Sequence, residues 1–342
     1  MNIWQQLPKP IISLAPMDGV TDQVFRQIVD LYGKAPIFIT EFVPVEALKA
    51  GAVRVLEAFV RHKSNTPTIA QIYGSDPDSF YLATLIVCEL GFDGVDINMG
   101  CPAKSVTSRG AGAGLIRNPA LAKRIISTTK QALLDWQDGA YLSAKISQSI
   151  RDKVNTIKTN NQSKVIIPIS IKTRIGYDDI ATDTWIPEIA SADIAAITIH
   201  GRTLKQGYGG KANWDQIAKA SDLVHNLNKH AVVLGNGDVE SYSQGLEYCT
   251  QYHVDGVLIG RKALGNPWIF SKEVPTQEQR IQVAIKHAQI QREEYGERNY
   301  VRIRKHLAWY CQGFKHSAEL RNNLLKVNTY EDVVRLLTTV TT

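Results

Sequence analysis

The chain has 342 residues, 44% of them hydrophobic, and a formal net charge of +6. That length exceeds one average domain and suits a barrel of roughly 250 residues with a smaller unit attached, while the positive balance favours polyanionic partners without requiring them. The four cysteines (Cys88, Cys101, Cys249, Cys311) show no C-x-x-C and no nearby His pair, which argues against a disulfide framework and a metal site, and the lack of a signal-like start or a long apolar run points to a soluble, cytoplasmic protein with no membrane segment.

Eight short apolar runs alternate with longer helix-like stretches, at 11–17, 36–42, 67–74, 94–102, 168–175, 195–202, 231–239 and 256–264. Near-continuous apolar runs are what strands buried on both faces need, and their alternation with helices implies parallel βαβ units. Eight such units predict an α/β fold of the (β/α)8 TIM-barrel type, with an open doubly wound sheet as the alternative. Most runs start 25 to 36 residues apart, but one gap, from 94 to 168, is 74 residues. It implies an insertion at about 139–166 on the helix-to-strand side, which is the bottom of a barrel. After about 272 the strand rhythm stops and four helical stretches follow. The expected division is a catalytic barrel over 1–272 and an all-helical C-terminal domain over 273–342.

Barrels act at the C-terminal ends of their strands, so what each run delivers there matters most. The first ends in Ala15-Pro16-Met17-Asp18-Gly19, a turn that could lie against a flat ring; taken alone it reads first as a turn whose Thr21 or Asp22 caps the next helix. The third delivers Gln71, whose amide suits the edge of a pyrimidine or a flavin, or plain solvent. The fourth delivers Asn98 and Cys101. The thiol could be a general acid, a nucleophile, or only a small buried side chain. Lys104, Arg109 and the glycines at 110–114 follow as a basic loop. Runs five and six bring Lys172, Arg174, His200 and Arg202, a cationic rim that could stabilise a reduced flavin or polarise a carbonyl; a Schiff-base lysine fits it too. Runs seven and eight end in Gly235-Asn236-Gly237-Asp238 and Gly260-Arg261. Glycines with an arginine in these loops make a phosphate site, for FMN or a sugar phosphate.

At this point the motifs carry a resemblance. The pieces LAPMDGVTD (14–22), QIYGSDP (71–77), GVDINMGCPAK (94–104), SIKTRIGYD (170–178), ITIHGRTLKQGYGG (197–210), GNGDV (235–239), IGRKALGNPWIF (259–270) and RKHLAWY (304–310), in this order, resemble the tRNA dihydrouridine synthases over nearly the whole chain. The resemblance implies reduced FMN passing hydride to C6 of a tRNA uracil, Cys101 donating a proton to C5 from the other face, and NADPH re-reducing the flavin. It maps flavin contacts onto Pro16, Met17, Gln71, Lys172, His200, Asn236, Gly237, Gly260 and Arg261, with Asp238 counted beside them. Asn98 would position the uracil. Lys104, Arg109 and Arg174 on the rim, and Arg302, Arg304, Lys305, Lys315 and Arg321 in the helical region, would meet the tRNA. No protein partner is implied. One departure stands out: Lys172 lies 71 residues after Cys101, farther than the family's strand-five lysine usually does, and Lys145 is nearer. The IKTRIGYD context selects Lys172. The rivals are an FMN barrel for a small molecule, a Schiff-base aldolase, and a tRNA-binding module without catalysis.

Overall fold

The apolar runs form strands β1 (Ile11–Leu14), β2 (Phe38–Ile39), β3 (Val43–Pro44), β4 (Thr68–Tyr73), β5 (Gly94–Met99), β6 (Ile169–Gly176), β7 (Ala196–Thr203), β8 (Val232–Asn236) and β9 (Gly256–Ile259). The computed structural model describes residues 2–62, 64–159, 165–207, 209–314 and 317–339, with 298 and 299 described in backbone alone. Every strand pairing is parallel, and the spatial order is β1-β9-β8-β7-β6-β5-β4-β2, with β3 also on β4. The row nearly closes into a ring, and at the seam the Ser13 hydroxyl donates to the Ile37 carbonyl. Counting β2 and β3 as two pieces of one stave gives the eight-stranded (β/α)8 barrel.

The break in that stave has a local cause. The Thr40 hydroxyl accepts the Gln71 N–H at 3.0 Å, a bond that a regular ladder would give to a carbonyl, and pairing resumes only at Val43. Polar residues cap the helices that follow the strands. Asp22, Asp76, Asn118, Asn213 and Ser241 each accept an N–H from the first turn, and Pro77 and Pro119 open two of the helices. A short helix, Ile3–Gln6, was not foreseen; it buries Trp4 completely among residues of β1, β2, β4, β8 and β9.

The extra segment after β5 folds as Ala140–Ser143 and Gln148–Ile157, of which Ile150 and Val154 are buried one helical turn apart. Residues 160–164 of it lie outside the described residues. Lys158 pairs with Glu89 at 3.3 Å, and the Thr159 N–H reaches the Leu90 carbonyl just before β5. The segment therefore sits at the N-terminal ends of the strands, away from the face where barrels act.

The last part of the chain is helical: Gln277–Tyr295, a 3-10 turn Glu297–Arg302, then Arg304–Tyr310, Ser317–Leu324 and Tyr330–Thr338. These helices share one apolar core with Val24 and Ile28 of the barrel helix Gln23–Tyr32 and with Trp268. Among the described residues no helix is long and apolar enough to cross a membrane, and no cluster of His, Cys, Asp and Glu could hold a metal ion.

Candidate active site

A cavity of about 1300 Å³ opens at the C-terminal ends of the strands. Its wall includes Pro16, Met17, Asn98, Cys101, Lys172, Arg174, His200, Arg202, Asn236, Gly237, Asp238, Gly260 and Arg261. Strand geometry explains the convergence. Side chains alternate along a strand, and the register sets Asn98 beside Lys172, Arg174 beside His200, and His200 beside Asn236.

Cys101 lies just past β5, half-buried, while Cys88, Cys249 and Cys311 are buried. Asn98 fixes the turn that carries it: its Oδ1 accepts the N–H groups of Gly100 at 3.0 Å and Cys101 at 2.8 Å. Burial pushes the Cys101 thiol up; the Ala103 N–H and the cations Arg174 and Lys172 only partly offset this. A thiol held up in this way stays protonated near neutrality, which suits a proton donor better than a thiolate nucleophile.

Lys172 faces Asn236, its Nζ donating to Oδ1 at 3.0 Å. Asn236 is oriented in turn by donating Nδ2 to the Leu258 carbonyl at 2.7 Å. Burial lowers Lys172 to about 8, and Arg174 adds to this, against the pull of Asp96 and Cys101. The lysine chosen by its context thus stands in the barrel wall on β6, while Lys145 lies in the extra segment. His200 is buried among cations; desolvation first, then Lys172, Arg174, Arg202 and Arg261, keep it neutral at any ordinary pH.

At the other side Asp238 holds two arginines. Its Oδ2 accepts from Arg202 at 2.6 Å and from the Ala212 N–H at 2.8 Å, and its Oδ1 accepts from Arg261 at 2.8 Å. Burial raises its pKa, but the Ala212 N–H and both arginines outweigh that and keep it ionised. Both Asp238 oxygens are therefore engaged, and on the cavity wall it orients the two arginines. Arg202 closes the sixth run beside His200, although the resemblance assigned it no contact. It is 2% exposed, and its Nε is buried with no hydrogen-bond partner among the described residues.

Other expected residues lie elsewhere. Gln71 is fully buried and absent from the cavity wall; its amide is taken up by Asp96 at 2.8 Å and Asn98 at 3.0 Å. Arg174 lines the cavity, but its Nε donates to the Gly100 carbonyl at 2.7 Å, so it braces the Cys101 turn. Lys104 and Arg109 stand exposed on the loop beyond Cys101. Arg302 pairs with Glu57 at 2.7 Å, Arg304 donates to the Val327 carbonyl and Asn328, and Lys305 donates to the Gly19 carbonyl. Arg321 is half-buried, and its buried Nε has no hydrogen-bond partner among the described residues. Lys315 lies outside the described residues. The cations expected to face tRNA thus largely tie the helical region to itself and to the barrel. Gln312, which no sequence signal marked, reaches the cavity wall from this region.

The residues present fit a phosphate-bearing planar cofactor. A Cβ on Gly237 would stand 2.7 Å from Ala212 and 3.0 Å from His200, whereas one on Gly260 would meet nothing nearer than the Met17 sulfur at 3.6 Å. The contact at Gly260 is an ordinary one, and the room for a cofactor is the cavity that Gly260, Met17 and Gly237 line. Arg202, Lys172 and Arg261 supply positive charge on the same side.

Fold and site together define a (β/α)8 barrel with a protonated thiol and a cationic wall at the strand ends where such barrels carry out chemistry. The chain belongs to the dihydrouridine synthase family, whose model, "Dihydrouridine synthase (Dus)", matches residues 13–159 and 139–342. It is similar to "Probable tRNA-dihydrouridine synthase 2" of Bacillus subtilis, 31% identical over 98% of this chain and 95% of the relative. It is also similar to "Probable tRNA-dihydrouridine synthase" of Staphylococcus aureus, 30% identical over 98% of this chain and 94% of the relative. Among solved structures, DHODH from Eimeria tenella in complex with ferulenol aligns over 83% of this chain and 82% of its own, with a TM-score of 0.46 and 11% identity.

Proposed function

We propose that the protein reduces the C5–C6 double bond of uridines in tRNA, with FMN bound in the barrel cavity and NADPH as the reductant. The observation that carries this reading is Cys101, a cavity-lining thiol held protonated by burial and anchored through Asn98, in a chain of the dihydrouridine synthase family. The names of the curated relatives support tRNA as the substrate. FMN, when bound, supplies the hydride.

The protein's own residues do the rest. Arg202, Arg261 and Gly237 would hold the phosphate, Pro16, Met17 and Gly260 would lie against the ring, and Lys172 with Asn236 would face its polar edge. His200 stays neutral beside them. Cys101 Sγ gives a proton to C5, and its partial exposure lets solvent restore it. Asn98 retains one amide N–H for a uracil carbonyl. A stacked base cannot enter a barrel, so the uridine is flipped out into the cavity. Residues 1–272 form the catalytic unit and 273–342 a helical unit that meets the tRNA beside the cations of the barrel rim. The expected site of action is cytoplasmic.

The test is dihydrouridine formation on unmodified tRNA by purified protein with FMN and NADPH. Cys101→Ala is expected to lose about 10²–10⁴-fold in rate while retaining flavin binding. A wild-type protein that binds no flavin and forms no dihydrouridine would sink the reading.

A further inference from the structure

Beneath the cavity lies a row of polar residues buried away from its wall. The register sets Gln71 beside Asp96 and Asp96 beside Ser170, one step below the row of Asn98 and Lys172. Asp96 is 1% exposed and Gln71 is fully buried. The hydrogen bonds linking them can run in only one direction. At the top, the Gly100 and Cys101 N–H groups can only donate, so Asn98 must turn its Oδ1 to them, at 3.0 and 2.8 Å. Its Nδ2 then faces Gln71, which must answer with Oε1, at 3.0 Å. Gln71 is left pointing Nε2 downward, and Asp96 accepts it at 2.8 Å. Two carboxamides have no preferred orientation of their own. The chain of donors therefore needs an acceptor at its buried end, and Asp96 is that acceptor, itself held by the Ser170 hydroxyl at 2.6 Å.

We infer that Asp96 is a positioning residue for the proton donor, acting through Gln71 and Asn98 to fix the turn that carries the Cys101 thiol. It never touches substrate; it sets the polarity of the relay. This rests on the proposed function only for the meaning of the thiol, since the relay itself is a property of the protein alone.

The experiment uses iodoacetamide alkylation of Cys101, measured on its peptide against pH, with melting temperatures alongside. It needs neither flavin nor tRNA, and Cys101 is the one cysteine of the four that is not buried. Gln71→Met deletes the relay and is expected to raise the alkylation rate about tenfold, the scale of losing a buried hydrogen-bond partner. Gln71→Glu sets two carboxylates face to face, so they hold the relay only while sharing a proton. Its alkylation should show a second pH step that the wild type lacks. Adding Asp96→Asn to Gln71→Glu moves the acceptor one position up and restores the direction, because a carboxylate at position 71 can accept from both amides. This double variant should lose the extra step and return to within about threefold of wild type, a rescue that generic loss of packing would not give.

Equal behaviour of Gln71→Glu with and without Asp96→Asn overturns the inference, as does a Gln71→Met protein that alkylates like wild type. If Gln71→Glu does not fold, the Gln71→Met comparison decides. A relay that behaves as expected in a protein that forms no dihydrouridine leaves the inference standing and removes the proposed function instead.

Discussion

Lys172 on the cavity wall and Glu41 beyond β2 have pKa values displaced within an accessible range. Lys172 falls from 10.5 to about 8, chiefly through burial. A base whose folded pKa is lowered reduces stability in full below about 8, and this cost disappears as pH rises toward 10.5. An anionic cofactor against Nζ reverses the displacement, so FMN binding at about pH 9 should take up a proton. Calorimetry in two buffers of different ionisation enthalpy reads the uptake. Lys172→Met should abolish it, and an unchanged uptake in that variant would assign the proton to another group. Glu41 moves the opposite way, from 4.5 to about 7, through burial first and then its neighbour Asp22, with Arg26 opposing. An acid raised in the folded state loses stability as pH climbs through that window. Glu41→Gln should gain up to about 3 kcal/mol at pH 8 and little at pH 5, read by urea unfolding, and an equal gain at both would contradict the cause given. Cys101, Lys172, His200 and Asn236 could be read from the sequence because a barrel delivers its chemistry at strand ends. Arg202 closes the same run as His200 and could be read with it, but the burial of Gln71 could not be read in the same way. Gln71 sits one row too low, which only the register reveals, and Arg202 is inward because β7 continues to Thr203.

The turns beyond the strands are where a single residue can decide an element's shape. In the loop after Cys101, Gly110 and Gly112 both have positive φ, +75° and +56°, but their surroundings differ. A Cβ at Gly110 would meet nothing within 4 Å, whereas one at Gly112 would stand 2.9 Å from Val106 Cγ1, 3.0 Å from the Cys101 carbonyl oxygen and 3.1 Å from its Cβ. Gly110→Ala should therefore cost about 1 kcal/mol, the conformational part alone. Gly112→Ala should cost roughly 1–3 kcal/mol and also displace Cys101, slowing dihydrouridine formation beyond what its lower melting temperature explains. Equal losses in the two variants would mean that backbone conformation is all that matters there. All eight staves were legible as apolar runs, since parallel strands buried on both faces leave that trace. The interruption at Thr40 was not, because it depends on a hydroxyl accepting from the neighbouring strand. The helix Gln148–Ile157 was missed for a similar reason. Its two buried residues, Ile150 and Val154, give too narrow an apolar stripe to stand out in a polar stretch.

At the scale of the whole molecule, the boundary expected near residue 272 runs through shared packing. Val24, Ile28 and Trp268 share a core with the C-terminal helices, and the Trp309 carbonyl lies where a Cβ of Gly265 would be. Gln23 also donates to Glu294 at 2.9 Å, and Arg302 reaches Glu57 at 2.7 Å. A chain cut at that point should be poorly soluble and bind a hydrophobic dye, and a soluble, cooperative barrel would show the tail to be separable. The same packing redirects the search for what grips tRNA. Each phosphate that a cation neutralises releases counterions, so affinity falls with salt in proportion to the number of contacts. Arg302, Arg304 and Lys305 already serve partners within the chain. The exposed cations Lys104, Arg109, Lys211 and Lys262 stand instead on the loops beyond the strands, Lys211 and Lys262 on the cavity wall itself; Lys262 pairs with Glu240 at 3.2 Å, an exposed ion pair that adds little to stability. On the proposed function, reversing the charge of Lys211 or Lys262 should weaken binding of all tRNAs about equally and flatten the salt slope by roughly one unit each, with the melting temperature unchanged. Arg304→Glu should instead lower the melting temperature, because it breaks the bonds to Val327 and Asn328, and any loss of tRNA affinity should follow from that. A salt titration of tRNA affinity for these variants separates the two cases. If Arg304→Glu flattens the slope at an unchanged melting temperature while Lys211→Glu and Lys262→Glu leave it alone, the grip lies on the helices after all and the rim is only its neighbour.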